Sequence, residues 1–239
     1  MRWRKNSKKR QHKKLFVRKI FDEIAQKYDL INHILSFGVD IYWRKKLIKM
    51  MTKEDYPRIL DMATGTALLA IKAAQRTKAK IDAYDISTEM LAKARLKVRK
   101  KNLASQITLK EQDCEVLEME NYFNAIMVGF GIRNFYNTQS GLKSMFKALK
   151  KQGKLYILEF STPENPIFKR IYFLYLSIFL PLIGKIFTGK KYAYQYFQES
   201  IKNYPSGKAF VEIMENVGFS DIKTHKMTGG IVTIYIAEK

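Results

Sequence analysis

The sequence predicts an α/β fold built on a doubly wound, mostly parallel sheet. Three observations lead there. The apolar run Ile59–Ala63 reads as a buried strand, is broken at Thr64-Gly65-Thr66, and passes into a helical pattern from Leu68 to Arg76. Strand-like and helix-like segments then alternate five times up to Phe160, the pattern of parallel strands joined by crossover helices. A carboxylate, Asp85, ends the second strand-like run, Ile81–Asp85, twenty positions after Gly65. A small-residue turn between strand and helix, followed by an acid at the next strand end, is how such a sheet holds a nucleoside. Gly65 lets backbone pass close to a ligand, the helix expected from Thr66 offers free N–H groups, and Asp85 can accept both ribose hydroxyls.

The elements follow in order. Leu15–Leu35 carries apolar residues at helical spacing (Phe16, Ile20, Phe21, Ile24, Tyr28, Ile31), with a break expected near Asp29. Ser36-Phe37-Gly38 is a turn and Ile41–Met51 a second helix. Beyond Asp85, Ser87 caps a helix that reaches about Lys101. Ile107–Gln112 is the third strand and Asn124–Phe130 the fourth. Ser140–Lys150 is a helix and Lys154–Phe160 the fifth strand. In the tail, Ser206–Val217 is a helix stopped by Gly218. Ile222–Met227 and Ile231–Ala237 form a hairpin around Gly229-Gly230, giving the sheet an antiparallel C-terminal edge strand. That edge fits a methyltransferase better than a dehydrogenase.

Composition limits the partners. The chain carries a net charge of +22 with a pI near 9.9. Its 33 lysines against 11 arginines are scattered. Phosphate readers favour arginine forks, which argues against dedicated nucleic-acid binding and leaves weak attraction to an anionic membrane surface. One cysteine, Cys114, excludes an internal disulfide and favours a reducing, cytoplasmic setting. With no second cysteine or paired histidine beside it, no metal site is expected. Residues 1–14 hold eight basic residues and read as a disordered tail. The apolar run Ile171–Gly184 is 14 residues long, too short to span a bilayer, and Pro181 interrupts it. The expected division is therefore a basic tail (1–14), a helical cover (15–56), and a main domain (57–239) with a helical insertion at about 164–204.

Five segments resemble the quinone-biosynthesis C-methyltransferases, which methylate demethylmenaquinone and the related ubiquinone precursor. They are Phe21-Asp22-Glu23-Ile24-Ala25-Gln26-Lys27-Tyr28-Asp29 with Asn32, Leu35–Gly38 and Trp43-Arg44; Phe130-Gly131-Ile132-Arg133-Asn134; Leu158–Pro163; Tyr194–Ile201 with Pro205; and Gly229–Val232. The resemblance runs from about Val17 to the C-terminus. It implies a seven-stranded, Rossmann-like fold, S-adenosyl-L-methionine as methyl donor, and a prenylated quinol as acceptor. It also implies that Gly65 and Thr66 lie at the methionine part of the donor, Asp85 at the ribose, Asp113 and Cys114 at the adenine, and Gly129 near the methyl group. Two departures stand out. The family turn reads Gly-Thr-Gly-Asp-Leu, whereas Ala67 and Leu68 occupy its last Gly and its Asp here, so cofactor binding is open to weakening. A family histidine after the Ser-Phe-Gly turn is Asp40.

The chemistry requires one group that helps a quinol hydroxyl lose its proton. Asp40, Tyr28 and His33 are candidates, and Arg133 is a candidate for stabilising the quinolate oxygen. The alternative functions are a cofactor-impaired relative kept for binding or assembly and an RNA-associated methyltransferase. Peripheral membrane contact is expected along Ile171–Phe187 with Lys185, Lys190 and Lys191 beside it, at the inner face of the membrane. Whether the chain forms a homo-oligomer is left open.

Overall fold

The computed structural model describes the backbone of residues 2–187 and 191–239, with side chains for 8–182 and 192–239. The core is a seven-stranded sheet in the order β3-β2-β1-β4-β5-β7-β6. Its strands are β1 (Arg58–Met62), β2 (Lys80–Asp85), β3 (Ile107–Glu111), β4 (Phe123–Gly129), β5 (Leu149–Phe160), β6 (Ser220–Met227) and β7 (Val232–Glu238). The first five are parallel, and β7 runs antiparallel to both of its neighbours. The antiparallel strand is thus not the edge, as the sequence suggested. β7 lies between β5 and β6 because the tight turn at Thr228–Gly230 folds it back inside.

β1 and β4 are buried on both faces, which is why their sequences are apolar without alternation. Helices α3 (Val39–Met51), α4 (Leu68–Ala74) and α5 (Thr88–Lys100) cover one face, with Leu47, Ile48 and Met51 fully enclosed. Each such side chain contributes about 1.5–3 kcal/mol. The other face packs on α6 (Thr138–Ala148) and α9 (Lys208–Glu215) through Leu142, Met145, Phe210 and Met214. A third cluster stands over the sheet's upper end. It joins α1 (Arg2–Ile24) and α2 (Tyr28–Leu35) to α7 (Pro166–Phe187) and α8 (Lys191–Asn203) through Ile20, Ile31, Tyr172, Leu176, Leu180 and Ile201.

The N-terminus corrects the expectation most. The stretch expected to be a disordered tail is helical from Arg2. Its positive charge is not simply solvated: Arg10 pairs with Asp113 and Glu115, Lys14 with Asp113, and Lys13 Nζ donates to the Phe135 carbonyl at 2.5 Å. The break in the cover falls at residues 25–27, ahead of Asp29. α4 is shorter than expected and starts at Leu68, because Gly65 and Ala67 both take left-handed backbone (φ 56° and 62°). Ser87 caps α5 as read, its hydroxyl accepting from Met90 N at 3.1 Å. Among the described residues no helix is long and apolar enough to cross a membrane.

Where β4 meets β5 the register slips between Phe123 and Ala125, and Gly153 sits in that irregularity. A Cβ there would lie 2.8 Å from the Lys150 carbonyl oxygen and 3.2 Å from that of Asn124, both backbone atoms that cannot rotate away. Gly153→Ala is expected to destabilise the fold by about 1–3 kcal/mol, as forced overpacking does. Urea melts check this; an unchanged midpoint would refute the close-approach reading.

Candidate active site

β1 is where the sheet's winding reverses, with β2 on one side and β4 on the other. Ligands in such sheets bind outside the strands' carboxyl ends at that point. A crevice opens there, lined by the end of β1 (Asp61, Ala63–Thr66), the end of β2 (Asp85, Ile86), the loop after β3 (Asp113–Glu115) and the end of β4 (Gly129–Gly131). Four of the five residues expected at a cofactor site border it directly through polar groups or bare backbone: Gly65, Thr66, Asp85 and Asp113. Cys114 borders it too, and its sulfur accepts from Ala63 N at 3.2 Å. Burial pushes the Cys114 thiol well up, so it is a neutral wall residue.

Asp85 is held rigidly. One oxygen accepts from Gly65 N at 2.8 Å and the other from Ser87 N at 2.9 Å. Each oxygen keeps a second lone pair, so a diol can still bind. Burial raises its pKa, and the backbone donors oppose that. The Thr66 hydroxyl donates to Asp29 at 2.7 Å, and Asp29 also pairs with Lys97. Asp113 is anchored by Glu115 N at 2.9 Å and carries the Lys14 ammonium. Asp61 Oδ2 accepts from Thr64 Oγ1 at 2.5 Å and Ala70 N at 3.0 Å, but its buried Oδ1 has no partner. That orphaned oxygen borders the crevice and suits a cationic ligand group.

The two departures in the turn separate here. Ala67 is fully buried in the core against α3 and does not border the crevice, so its methyl does not fill the donor's place. Its cost is conformational: φ of 62° is a region that Gly takes freely. Leu68 does border the crevice, as an apolar wall where the family turn has a carboxylate.

A second cavity of about 310 Å³ adjoins the first and is overwhelmingly apolar, walled by Trp43, Phe160, Tyr172, Leu176 and Phe197 among others. Tyr28, Arg44 and Phe130 border both cavities and form the partition. Asp40 and Arg133 also face the second cavity. His33 does not. It lies behind Asp40, with Nδ1 2.7 Å from Asp40 Oδ1. Burial alone would raise the Asp40 pKa, but His33, Arg44 and Ser36 outweigh it and hold the carboxylate below its usual value. Burial raises the Tyr28 phenol. Arg133 is locked by Glu159, Nη1 to Oε1 at 2.8 Å, and sandwiched between the Phe160 and Phe197 rings, each about 5.1 Å away.

Sequence reasoning missed part of the wall. Arg44, Phe130, Phe21, Val17 and Lys14 all border the crevice. Phe21, Arg44 and Phe130 stood within the resembling segments, but nothing in their spacing marked them as lining a cavity.

The comparisons with known proteins point to one family. The profile described as the ubiE/COQ5 methyltransferase family matches residues 5–239. A ubiquinone/menaquinone biosynthesis C-methyltransferase UbiE of Geotalea uraniireducens is 39% identical over 226 residues, covering 93% of this chain and 96% of that protein. A demethylmenaquinone methyltransferase of Bacteroides fragilis is 38% identical, covering 93% and 92%. Among solved structures, an S-adenosyl-L-methionine-dependent methyltransferase from Methanococcus maripaludis superposes with a TM-score of 0.65 at 18% identity, covering 92% and 94% of the two chains, which speaks to the fold alone.

Burial pushes the Asp61 pKa up to about 7. A carboxyl raised on folding stabilises the fold fully below its unfolded value and loses that contribution as pH rises through the folded value. Relative to Asp61→Asn, the wild type without ligand is therefore expected to lose stability, on the order of a few kcal/mol, between about pH 4 and pH 7, and to change little above. Denaturant melts of both proteins from pH 5 to 8 check this; a flat difference would show that Asp61 is already ionised. With its profile match over nearly the whole sequence and relatives at 38–39% identity across 93% of it, the chain belongs to the ubiE/COQ5 methyltransferase family and is an S-adenosylmethionine-dependent methyltransferase.

Proposed function

We propose that this chain methylates a ring carbon of a prenylated quinol, demethylmenaquinol first among them, in menaquinone or ubiquinone biosynthesis. The observation that carries the reading is the pair of cavities sharing one wall. One is a crevice with carboxylates spaced for a nucleoside, the other an apolar chamber of about 310 Å³ that suits an aromatic ring and the start of a prenyl tail. The proposed donor contacts are Gly65 and Thr66 at the amino-acid part, Asp85 at the ribose, and Asp113 and Cys114 at the adenine. Gly129 borders the crevice at the end of β4, where a side chain would meet Leu69. Bound S-adenosylmethionine supplies a methyl group as an electrophile on a sulfonium.

The chain's own task is to bring the acceptor carbon to that methyl and to favour the ionised quinol. Tyr28, with its phenol raised, stays protonated at neutral pH and can donate to a quinol oxygen. Asp40, held low and engaged by Arg44, is a poor proton acceptor. Arg133 faces the acceptor cavity with its position fixed by Glu159, the arrangement needed to stabilise negative charge on the quinol oxygen. Nothing favours the cofactor-impaired reading, since the Ala67 methyl points into the core rather than the crevice.

The crevice is narrow, about 90 Å³, because α1 presses Lys14, Val17 and Phe21 onto it. Ligand sites usually offer roughly 300–1,000 Å³, so entry of a nucleoside requires α1 to lift. On the other side of the acceptor cavity, α7 leaves Ile167, Ile171, Leu174 and Ile178 more than half exposed, and Phe37 nearby is 78% exposed. A continuous apolar face of this kind supports peripheral contact with a bilayer, from which the tail would pass into the cavity. The side chains of Lys185, Lys190 and Lys191 lie outside the described residues.

Incubation with methyl-labelled S-adenosylmethionine and a short-tailed demethylmenaquinol is expected to put label on the ring. No label with binding intact would refute the acceptor. Arg133→Met is expected to lower kcat by roughly 10²–10³ with donor affinity retained, by analogy with loss of one oxyanion donor. In liposome flotation, changing Ile171, Leu174 and Ile178 to Gln is expected to abolish association with anionic vesicles; unchanged flotation would remove the membrane-facing role of α7.

A further inference from the structure

We propose that Arg44 is the recognition group for the α-carboxylate of the donor's amino-acid head, and so a specificity-determining residue for S-adenosyl amino acids over truncated nucleosides. The proposal rests on the donor reading above and extends it to a residue with no assigned role.

Charge along the crevice is the first argument. Its acidic side chains are Asp61, Asp85, Asp113 and Glu115, and its basic ones are Lys14 and Arg44. Lys14 is spent at the far end, where it pairs with Asp113. Asp113, Asp85 and Asp61 stand at or just past the ends of the neighbouring strands β3, β2 and β1, and Arg44 stands at the border with the second cavity. The charged groups thus run Asp113, Asp85, Asp61, Arg44 from the adenine end to the other. An S-adenosyl amino acid laid in that direction brings its ammonium and carboxylate to the last two. Asp61 contributes a buried oxygen without a partner, suited to the ammonium. Arg44 contributes the one cation at that end, among the described residues, for the carboxylate.

The build of Arg44 is the second argument. It is a buried arginine, 6% exposed, on α3. Its hydrogen bonds to the Asp40 carboxylate and the Asp40 carbonyl both pass through Nη1. Its guanidinium lies 5.0 Å over the Phe130 ring, which fixes the plane of the fork. Asp40 also accepts from Ser36 at 2.9 Å and lies 2.7 Å from His33 Nδ1, and it engages the arginine through Nη1, not through the rest of the fork. A guanidinium held at one nitrogen and by its face has other donors left for a carboxylate, the geometry in which arginine surpasses lysine.

Calorimetry with two ligands tests this. S-adenosylhomocysteine carries the amino-acid head; 5′-methylthioadenosine lacks it. Arg44→Gln is expected to weaken the first roughly 10- to 100-fold, the range of a hydrogen bond to a charged group, and the second less than threefold. Equal losses for both ligands, or no loss for either, would overturn the proposal. Normal binding of both with a lower kcat toward quinol would also overturn it, assigning Arg44 to the acceptor instead. If Arg44→Gln strands Asp40 and does not fold, Asp40→Asn/Arg44→Gln removes both charges together and gives the same readout. Failure of the donor reading itself is distinguishable, because the wild type would then bind neither ligand.

Discussion

The hydrogen bond from the Thr66 hydroxyl to Asp29, 2.7 Å long, joins the two halves on which the site depends. Thr66 belongs to the turn after β1, the floor of the crevice. Asp29 belongs to the N-terminal cover, its roof. Lys97 of α5 pairs with the same carboxylate, and seven residues earlier Asp22 accepts from Ser87 Oγ at 2.5 Å. These contacts tie the cover to the turn after β1 and to the loop after β2 that follows Asp85. Without that tie α2 would not bring Tyr28 to the partition, and the acceptor cavity would lose the wall that separates it from the crevice. A sheet alone can hold a nucleoside; the cover turns that site into a place where two molecules meet.

Three of the nine non-glycine residues with left-handed backbone, among the described residues, stand around this meeting point. Ala63, Ala67 and Phe130 all have left-handed backbone (φ 55°, 62° and 60°), a conformation that L-residues take only when their surroundings impose it. Ala63 and Ala67 bracket the turn after β1, and Phe130 follows β4. At Ala63 and Phe130 a strand bends sharply just past its end, and at Ala67 the turn bends into α4. Phe130 N donates to the Leu158 carbonyl at 2.7 Å, while its ring packs between Trp43, Phe160 and the Arg44 guanidinium. That packing is what holds the unusual backbone in place. It also makes Phe130 a shared boundary of both cavities.

How much of this the sequence disclosed depends on the range of the interaction. The strands, the Ser87 cap and the hairpin at Gly229-Gly230 are local, and periodicity reveals them. The carboxylates Asp85 and Asp113 follow strand ends, so their placement at one edge comes from topology that alternation already implies. The helical state of residues 2–14 was illegible because eight positive charges look like a solvated tail; the acidic rim at Asp113 and Glu115, a hundred residues away, gives Arg10 and Lys14 their partners. Arg44 was illegible for the same reason. Its surroundings come from Asp40 on its own helix, Phe130 after β4 and Asp61 at the end of β1, and no spacing rule links the three. Likewise, nothing in the order Thr66-Ala67-Leu68 tells that one substituted side chain faces the core and the next the crevice.

The large positive charge also has a structural outlet that composition alone does not show. Lysine and arginine side chains of α1 reach across to the acidic lip at Asp113 and Glu115, and Arg18 reaches Glu111. These pairs are partly exposed, so each contributes little to global stability and is screened by salt. Weak, screened pairs are poorly suited to holding a fold but well suited to a contact that must open. The crevice beneath is too narrow for a nucleoside while α1 rests on it, and the apolar residues Val17 and Phe21 alone would grip it closed without regard to what lies below. Because Lys14 sits on the carboxylate assigned to the adenine ring, an arriving adenine and the closed helix compete for the same oxygen. On the proposed donor reading, binding and lifting of the cover are coupled through the Lys14 and Arg10 contacts to Asp113, and the free energy of those contacts is subtracted from the donor's apparent affinity.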